Sequence, residues 1–159
     1  MEKRKYKVGI VTLSDKGSRG EREDLSGPKI HEVVSYRILP DDQPAIEKEL
    51  CRLADEEHCA LVLTTGGTGF SMRDVTPEAT LAVADRVAPG IAEAIRAYSL
   101  TITPRAMLSR AASAIRKQTL IVNLPGSPKA VAESLTYILS SLGHGLDILL
   151  GEDGECARK

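Results

Sequence analysis

Residues Leu63 to Glu78 read Leu-Thr-Thr-Gly-Gly-Thr-Gly-Phe-Ser-Met-Arg-Asp-Val-Thr-Pro-Glu, and this stretch decides the fold. It follows the apolar run Ala60-Leu61-Val62-Leu63, places three glycines in the four positions from Gly66 to Gly69, and delivers Asp74 just before a helix-start signal. An apolar run that enters a glycine loop and then a helix is the connection expected of an α/β unit. Gly66, Gly67 and Gly69 can take positive φ and let a ligand approach the main chain, where successive N–H groups can face phosphate oxygens. Thr64, Thr65 and Thr68 add hydroxyls. A plain tight turn would use the same residues, and the loop has neither the Lys-Ser/Thr ending of a P-loop nor the spacing of a dinucleotide fingerprint. The neighbouring segments must therefore decide what the loop is for.

Working outward, the strands and helices alternate. Tyr6 to Leu13 is rich in β-branched residues and nearly continuous in apolar character from Val8, as a strand covered on both faces should be. Ser14 to Gly27 is polar and glycine-bearing, longer than the usual connection in an α/β unit. Ser26 and Pro28 suggest the start of a short helix over Pro28 to Val34, followed by a short strand, Tyr36 to Leu39, ending at Pro40-Asp41-Asp42. Gln43 to Glu57 carries Ile46, Leu50, Leu53 and Ala54 on one stripe, which predicts an amphipathic helix that Asp42 could cap. Ala60 to Thr64 is the next strand. Thr76-Pro77-Glu78 offers an N-cap, a proline at the first helical position and an acid in the first turn, predicting a helix to about Val87. Ile91 to Leu100 and Arg105 to Ile115 read as further helices. Thr119 to Leu124 is a strand, apolar apart from Asn123 and the leading threonine, and stops at Pro125-Gly126-Ser127-Pro128. Lys129 to Leu142 is the last long helix, with Gly143-His144-Gly145 as its end and Gly145 to Leu150 as a final turn or edge segment.

The 159 residues suit one domain, residues 1–159, able to bury roughly two-thirds of its unfolded surface. Net charge is −1, with no basic footprint for nucleic acid and no polybasic anchor for a membrane. Cys51, Cys59 and Cys156 form no C-x-x-C pair, and His31, His58 and His144 are scattered, so no zinc spacing is present. With a charged N-terminus, no apolar signal region and no apolar run of membrane-spanning length, the chain reads as a soluble cytoplasmic protein.

The expected architecture is a mostly parallel sheet with helices on both faces, in which ligands bind outside the carboxyl ends of the strands. Those ends carry Ser14-Asp15, Pro40-Asp41-Asp42, Thr65-Gly66-Gly67-Thr68-Gly69 and Asn123-Leu124-Pro125-Gly126-Ser127. A phosphate loop beside two acids suits Mg²⁺, which takes one or two carboxylates plus substrate phosphate oxygens. Asp41 and Asp74 fit that role, although either could instead cap a helix.

Taken together, Thr65-Gly66-Gly67-Thr68-Gly69, Arg73-Asp74-Val75-Thr76-Pro77-Glu78, Pro40-Asp41-Asp42, Ser109-Arg110 and Pro125-Gly126-Ser127-Pro128 resemble the molybdopterin adenylyltransferase family, the MogA-like and MoaB-like proteins and the G domain of gephyrin. The resemblance runs along nearly the whole chain. It implies the three-layer, Rossmann-like α/β sandwich of molybdenum-cofactor biosynthesis proteins, and transfer of AMP from Mg-ATP to the phosphate of molybdopterin with release of pyrophosphate. It implies Asp41 and Asp74 as the catalytic and metal-binding acids. Nucleotide and molybdopterin contacts are implied at Ser14, Thr65, Gly66, Gly67, Thr68, Gly69, Ser99, Ser109, Asn123, Pro125, Gly126 and Ser127. A homotrimer and other molybdenum-cofactor biosynthesis proteins are the implied partners. A paralogue that binds molybdopterin without adenylating it, or a scaffold of the same fold, would share much of this pattern. One departure stands out: relatives carry a longer first helix between Gly27 and Tyr36, so we expect several further residues there in the intact protein.

Overall fold

The computed structural model describes residues 6–13 and 31–151. Ser14 and the start of the first expected helix lie outside them. Among the described residues, six strands form one sheet in the order β2-β1-β3-β6-β5-β4. They are β1 (Tyr6–Leu13), β2 (His31–Leu39), β3 (Leu61–Thr65), β4 (Arg86–Val87), β5 (Ser113–Arg116) and β6 (Thr119–Leu124). The first four in spatial order, β2, β1, β3 and β6, run parallel, while β5 and β4 are antiparallel additions at one edge. The helices are α1 (Gln43–Asp55), α2 (Thr76–Val83), α3 (Pro89–Leu100) and α4 (Pro128–Leu149), with a 3₁₀ turn at Pro104–Leu108.

Alternation along the buried central strands builds two cores. Val8, Ile10, Leu61, Leu63, Leu120, Val122 and Leu124 face one side and pack with Ile95 of α3 and Val131, Ile138, Leu142 and Leu146 of α4. Val11, Leu13, Val62 and Ile121 face the other, against Ile46, Leu50 and Leu53 of α1 and Ala79 and Val83 of α2. The result is the expected three-layer sandwich. Gly9 lets α1 approach, because a methyl group there would lie 2.9 Å from Leu53 Cδ1. The chain leaves β1 for β2 on one side and then enters β3 on the other, so strand order reverses between β1 and β3, the place in an open α/β sheet at whose carboxyl ends ligands bind.

Several expected elements differ. His31–Ser35 is strand, continuing to Leu39 beside β1 with a register shift after Val8, so the short helix does not extend to Val34. The helix expected over Arg105 to Ile115 is only a 3₁₀ turn, capped by the Thr103 hydroxyl. Its last residues, from Ser113, belong to β5, which pairs antiparallel with β6. The intervening turn uses Lys117 at φ +52°, without the glycine that normally announces a hairpin. Helix α2 stops at Val83, where Asp85 N–H bonds to Ile115 O and β4 joins the sheet edge. Helix α4 runs through Gly143 and Gly145 to Leu149. Burial of Leu142 and Leu146, with the Tyr6 hydroxyl donating to Gly143 O at 3.2 Å, outweighs the roughly 1 kcal/mol helix penalty of each glycine.

One ion pair fastens the end of α1 to the antiparallel edge. Arg116 donates Nε and Nη2 to the two oxygens of Asp55, at 3.1 and 2.7 Å, and Nη1 to Val83 O at 2.9 Å. Those bonds, with Lys117 beside them, lower the Asp55 carboxyl from its ordinary 3.8 to about 2. A depressed carboxylate contributes stability that is present above its ordinary range and is lost as pH falls through its folded value. Asp55→Asn should therefore be less stable than the unmodified protein at pH 7, and thermal denaturation should show the difference shrinking as pH approaches 2. A difference independent of pH would contradict this account.

Candidate functional site

The loop after β3 is built around two residues in the left-handed region, Gly66 at φ +89° and Gly67 at φ +68°. A methyl group on Gly66 would lie 2.5 Å from Leu13 O, and one on Gly67 would lie 2.2 Å from Thr76 Oγ1, so both positions exclude side chains by conformation and by space. Thr76 is not the N-cap of α2; that position is Val75, which has no capping side chain. Instead Thr76 Oγ1 donates to Gly66 O at 3.0 Å, and Thr76 N–H bonds to Gly67 O at 3.1 Å. Gly66 N–H reaches Leu124 O at 3.3 Å, which draws the end of β6 to the same place.

The two acids lie against this turn. The position of a Gly67 methyl is 3.3 Å from Asp41 Oδ1, and that of a Gly69 methyl is 2.9 Å from Asp74 Oδ2. Asp42, not Asp41, caps α1, accepting from Ala45 N–H at 3.1 Å. Asp41 is thereby left for other work: its Oδ1 is buried without a hydrogen-bond partner among the described residues. Burial raises the Asp41 carboxyl above its ordinary range, and the charge of nearby Asp74 adds to the shift. Asp74 Oδ2 accepts Ser71 N–H at 3.1 Å. Among the described residues no group of three or more His, Cys, Asp or Glu side chains could hold a metal. Two carboxylates, one with an unsatisfied buried oxygen, fit a hard cation that draws its remaining ligands from phosphate and water.

The remaining residues implied by the resemblance divide into two groups. Gly126 comes to the turn, its methyl position 3.5 Å from Gly66 Cα, and brings Pro125 and Ser127 with it. Ser127 caps α4, its hydroxyl accepting from Ala130 N–H at 3.2 Å. Thr68 is nearly buried within the loop. Thr65 is buried and donates to Thr12 Oγ1 at 3.2 Å. Asn123 is fully buried and committed to protein partners: its amide donates to Thr64 and Thr80 hydroxyls, both at 2.9 Å, and its oxygen accepts Ala112 N–H at 3.1 Å. It braces the site from behind rather than facing the opening. Ser99 is in the last turn of α3, and Ser109, whose hydroxyl accepts Ala111 N–H at 3.3 Å, stands just before Arg110. Ser14 is outside the described residues.

In sequence, Arg110 stands out only as part of the Ser109-Arg110 motif. In the structure it donates Nε to Gly69 O at 2.8 Å and Nη2 to Asp74 O at 2.7 Å, and it pairs with Glu78 through Nη1. Its signal was being the one charged residue between Arg105 and Arg116. A separate cavity of about 420 Å³ lies between α3 and α4, lined by residues that include Ile91, Ala94, Tyr137 and Ile138. It contains neither acid and none of the glycine loop.

Residues 9–144 match the family described as "Probable molybdopterin binding domain". The chain belongs to this family. The molybdopterin adenylyltransferase of Helicobacter pylori strain J99 is 43% identical over 154 residues, covering 91% of this chain and 88% of its own. That of Escherichia coli K12 is 47% identical over 148 residues, covering 87% of this chain and 76% of its own. The crystal structure of the molybdopterin biosynthesis enzyme MoaB from Thermus thermophilus aligns with a TM-score of 0.82 at 46% identity, over 94% of this chain and 99% of that one. The six-stranded, three-layer fold is thus shared with solved members of the molybdopterin-binding family.

Two outcomes test the geometry. Gly67→Ala should be destabilised by roughly 1–3 kcal/mol in chemical denaturation, because it combines a positive φ with a collision against Thr76; unchanged stability would show that the turn can relax. For Asp41 the sign is opposite to that of Asp55: a raised folded value means stability is lost as pH rises through it. Without metal, Asp41→Asn should melt above the unmodified protein at pH 7, and the gain should vanish below the ordinary carboxylate range.

Proposed function

We propose that this protein is a molybdopterin adenylyltransferase, moving the AMP group of Mg-ATP onto the phosphate of molybdopterin and releasing pyrophosphate. The observation that carries the reading is the orphaned carboxylate oxygen of Asp41, held against a side-chain-free turn beside Asp74. Relatives named for that activity, at 43% and 47% identity over most of the chain, support it.

A phosphate oxygen of molybdopterin attacks the α-phosphorus of ATP in line, a new P–O bond forms, and the bond to the β-phosphate oxygen breaks with its electron pair leaving on pyrophosphate. No protein atom becomes covalently modified. The work of the chain is orientation and electrostatics. Amides of Gly67 to Gly69 position phosphate oxygens, with Thr68 as a hydroxyl beside them, while the Gly66 N–H is spent on Leu124 O. Asp41 and Asp74 are the residues that would hold Mg²⁺. Bound there, the ion would supply charge neutralisation on the phosphates, which two bare carboxylates would otherwise repel. Ser99, Ser109 and the Pro125 to Ser127 turn form the wall for the pterin or the nucleotide.

We further propose a cytoplasmic homotrimer that hands its product to other molybdenum-cofactor biosynthesis proteins. Among the described residues, no helix is long and apolar enough to cross a membrane. Leu100, Ile102, Met107 and Leu108 are exposed at the end of α3 and in the following turn, offering apolar surface for self-association.

The test is incubation with molybdopterin, ATP and Mg²⁺, following adenylated pterin and pyrophosphate. The unmodified protein should form both in equal amount, and Asp74→Ala or Asp41→Asn should abolish formation while remaining folded. Near-normal turnover in either variant would overturn the roles assigned to the acids. No product from the unmodified protein would favour a binding paralogue.

A further inference from the structure

The loop from Gly69 to Asp74 carries one of the two acids, and three of its hydrogen bonds are local. Asp74 N–H bonds to Ser71 O at 3.0 Å, Ser71 N–H to Asp74 Oδ2 at 3.1 Å, and Arg73 N–H to Ser71 Oγ at 3.3 Å. These bonds fold the loop on itself. Its tip is solvent-facing, with Phe70 and Met72 69% and 95% exposed. Something else must hold Asp74 at a fixed distance from the glycine amides and from Asp41.

Thr76, two residues beyond Asp74, ties the start of α2 to Gly66 O and Gly67 O, and the attachments to the loop's own two ends converge on Arg110. Its backbone N–H bonds to Thr68 O at 2.8 Å, before the loop. Its guanidinium takes Gly69 O at the loop's start and Asp74 O at its end, and pairs with Glu78 in the first turn of α2. A planar fork with donors in fixed directions can span two carbonyls and a carboxylate at once, which a lysine ammonium on a flexible stem cannot reproduce. Glu78 registers the contact, since the Arg110 hydrogen bond is the first cause holding its carboxyl below the ordinary range.

Arg110 is itself on an anchored segment. Arg96 of α3 donates Nη1 to Ala111 O at 2.6 Å. Asn123 exchanges bonds with Ala112, its main-chain N–H reaching Ala112 O at 3.0 Å and its side-chain oxygen taking Ala112 N–H at 3.1 Å. A continuous set of hydrogen bonds therefore runs from the buried end of β6 and from α3, through residues 110–112, to the main chain on either side of the acid.

We infer that Arg110 is a positioning residue for the reaction: its guanidinium fixes the Gly69–Asp74 loop by clasping both loop-end carbonyls, and so sets where Asp74 meets the nucleotide. This rests on the adenylyl-transfer reading above, but the clasp can be measured without it. The experiment compares the unmodified protein with Arg110→Lys and Arg110→Ala in steady-state AMP transfer and in amide hydrogen exchange of the metal-free protein. The expected result is a fall in kcat of about 100-fold in both variants with little change in the KM for ATP. Exchange should accelerate across residues 69–75 while α1 and α4 keep their protection. Added guanidinium ion should restore part of the rate and of the protection in Arg110→Ala, and ammonium should not.

Normal kcat with unchanged exchange in the variants would overturn the inference. So would general loss of fold in Arg110→Lys, which keeps the charge, because Arg110 would then be a global tie rather than a local one. If the unmodified protein makes no adenylated pterin, the functional reading falls, and the exchange and rescue measurements still decide whether Arg110 clasps the loop.

Discussion

The site depends on the absence of a side chain at Gly67. In the space a methyl group would fill, Thr76 Oγ1 lies 2.2 Å away and Asp41 Oδ1 3.3 Å away. Because that space is free, Thr76 can bond to both Gly66 and Gly67, α2 can begin directly beneath the turn, and the β2–α1 connection can bring Asp41 over it. Crowding the turn would separate three segments that are distant in sequence. The left-handed backbone at Gly66 and Gly67 is thus a condition of the fold as well as of any ligand approach.

Around that constraint the protein places charge in two opposite ways. At the amino end of the sheet, Asp55 is fully engaged by Arg116 and Lys117 and lies well below its ordinary range, as a structural carboxylate should. At the carboxyl end, Asp41 is half-buried, with its Oδ1 buried and unpartnered among the described residues, and its carboxyl is raised by burial, with Asp74 adding repulsion. A carboxylate oxygen left buried and unpaired is costly, and such perturbed acids cluster at functional sites. Comparing the two aspartates is more telling than either alone, since the same chain supplies arginine partners where stability alone is required.

Much of this was legible in sequence because it rests on local chemistry. The continuous apolar runs marked β1, β3 and β6, the stripe of Ile46, Leu50 and Leu53 marked α1, and Asp42 was recognisable as its cap, which freed Asp41 for another role. What failed depended on distant pairing. Ala111, Ala112 and Ala114 suit a helix by composition, yet β5 forms because β6 offers an edge and Arg116 reaches Asp55. The hairpin turn at Lys117 carries no glycine, and α4 continues past Gly143 and Gly145 because the sheet buries Leu142 and Leu146. Asn123 was visible as an odd polar residue in an apolar strand, but only the structure shows its amide spent on Thr64, Thr80 and Ala112. Arg110 was invisible as a clasp because its partners lie some forty residues earlier.

Everything proposed for the chemistry requires Asp41, Asp74 and the glycine turn to form one site for a metal-bound nucleotide. The most direct measurement is the melting temperature at fixed ATP while Mg²⁺ is raised, for the unmodified protein and Asp41→Asn. A ligand that binds only the folded state raises its stability with concentration. The unmodified protein should show a saturable rise that requires both Mg²⁺ and ATP, and Asp41→Asn should need far more Mg²⁺ for the same rise. An identical Mg²⁺ dependence in the two proteins would contradict the account.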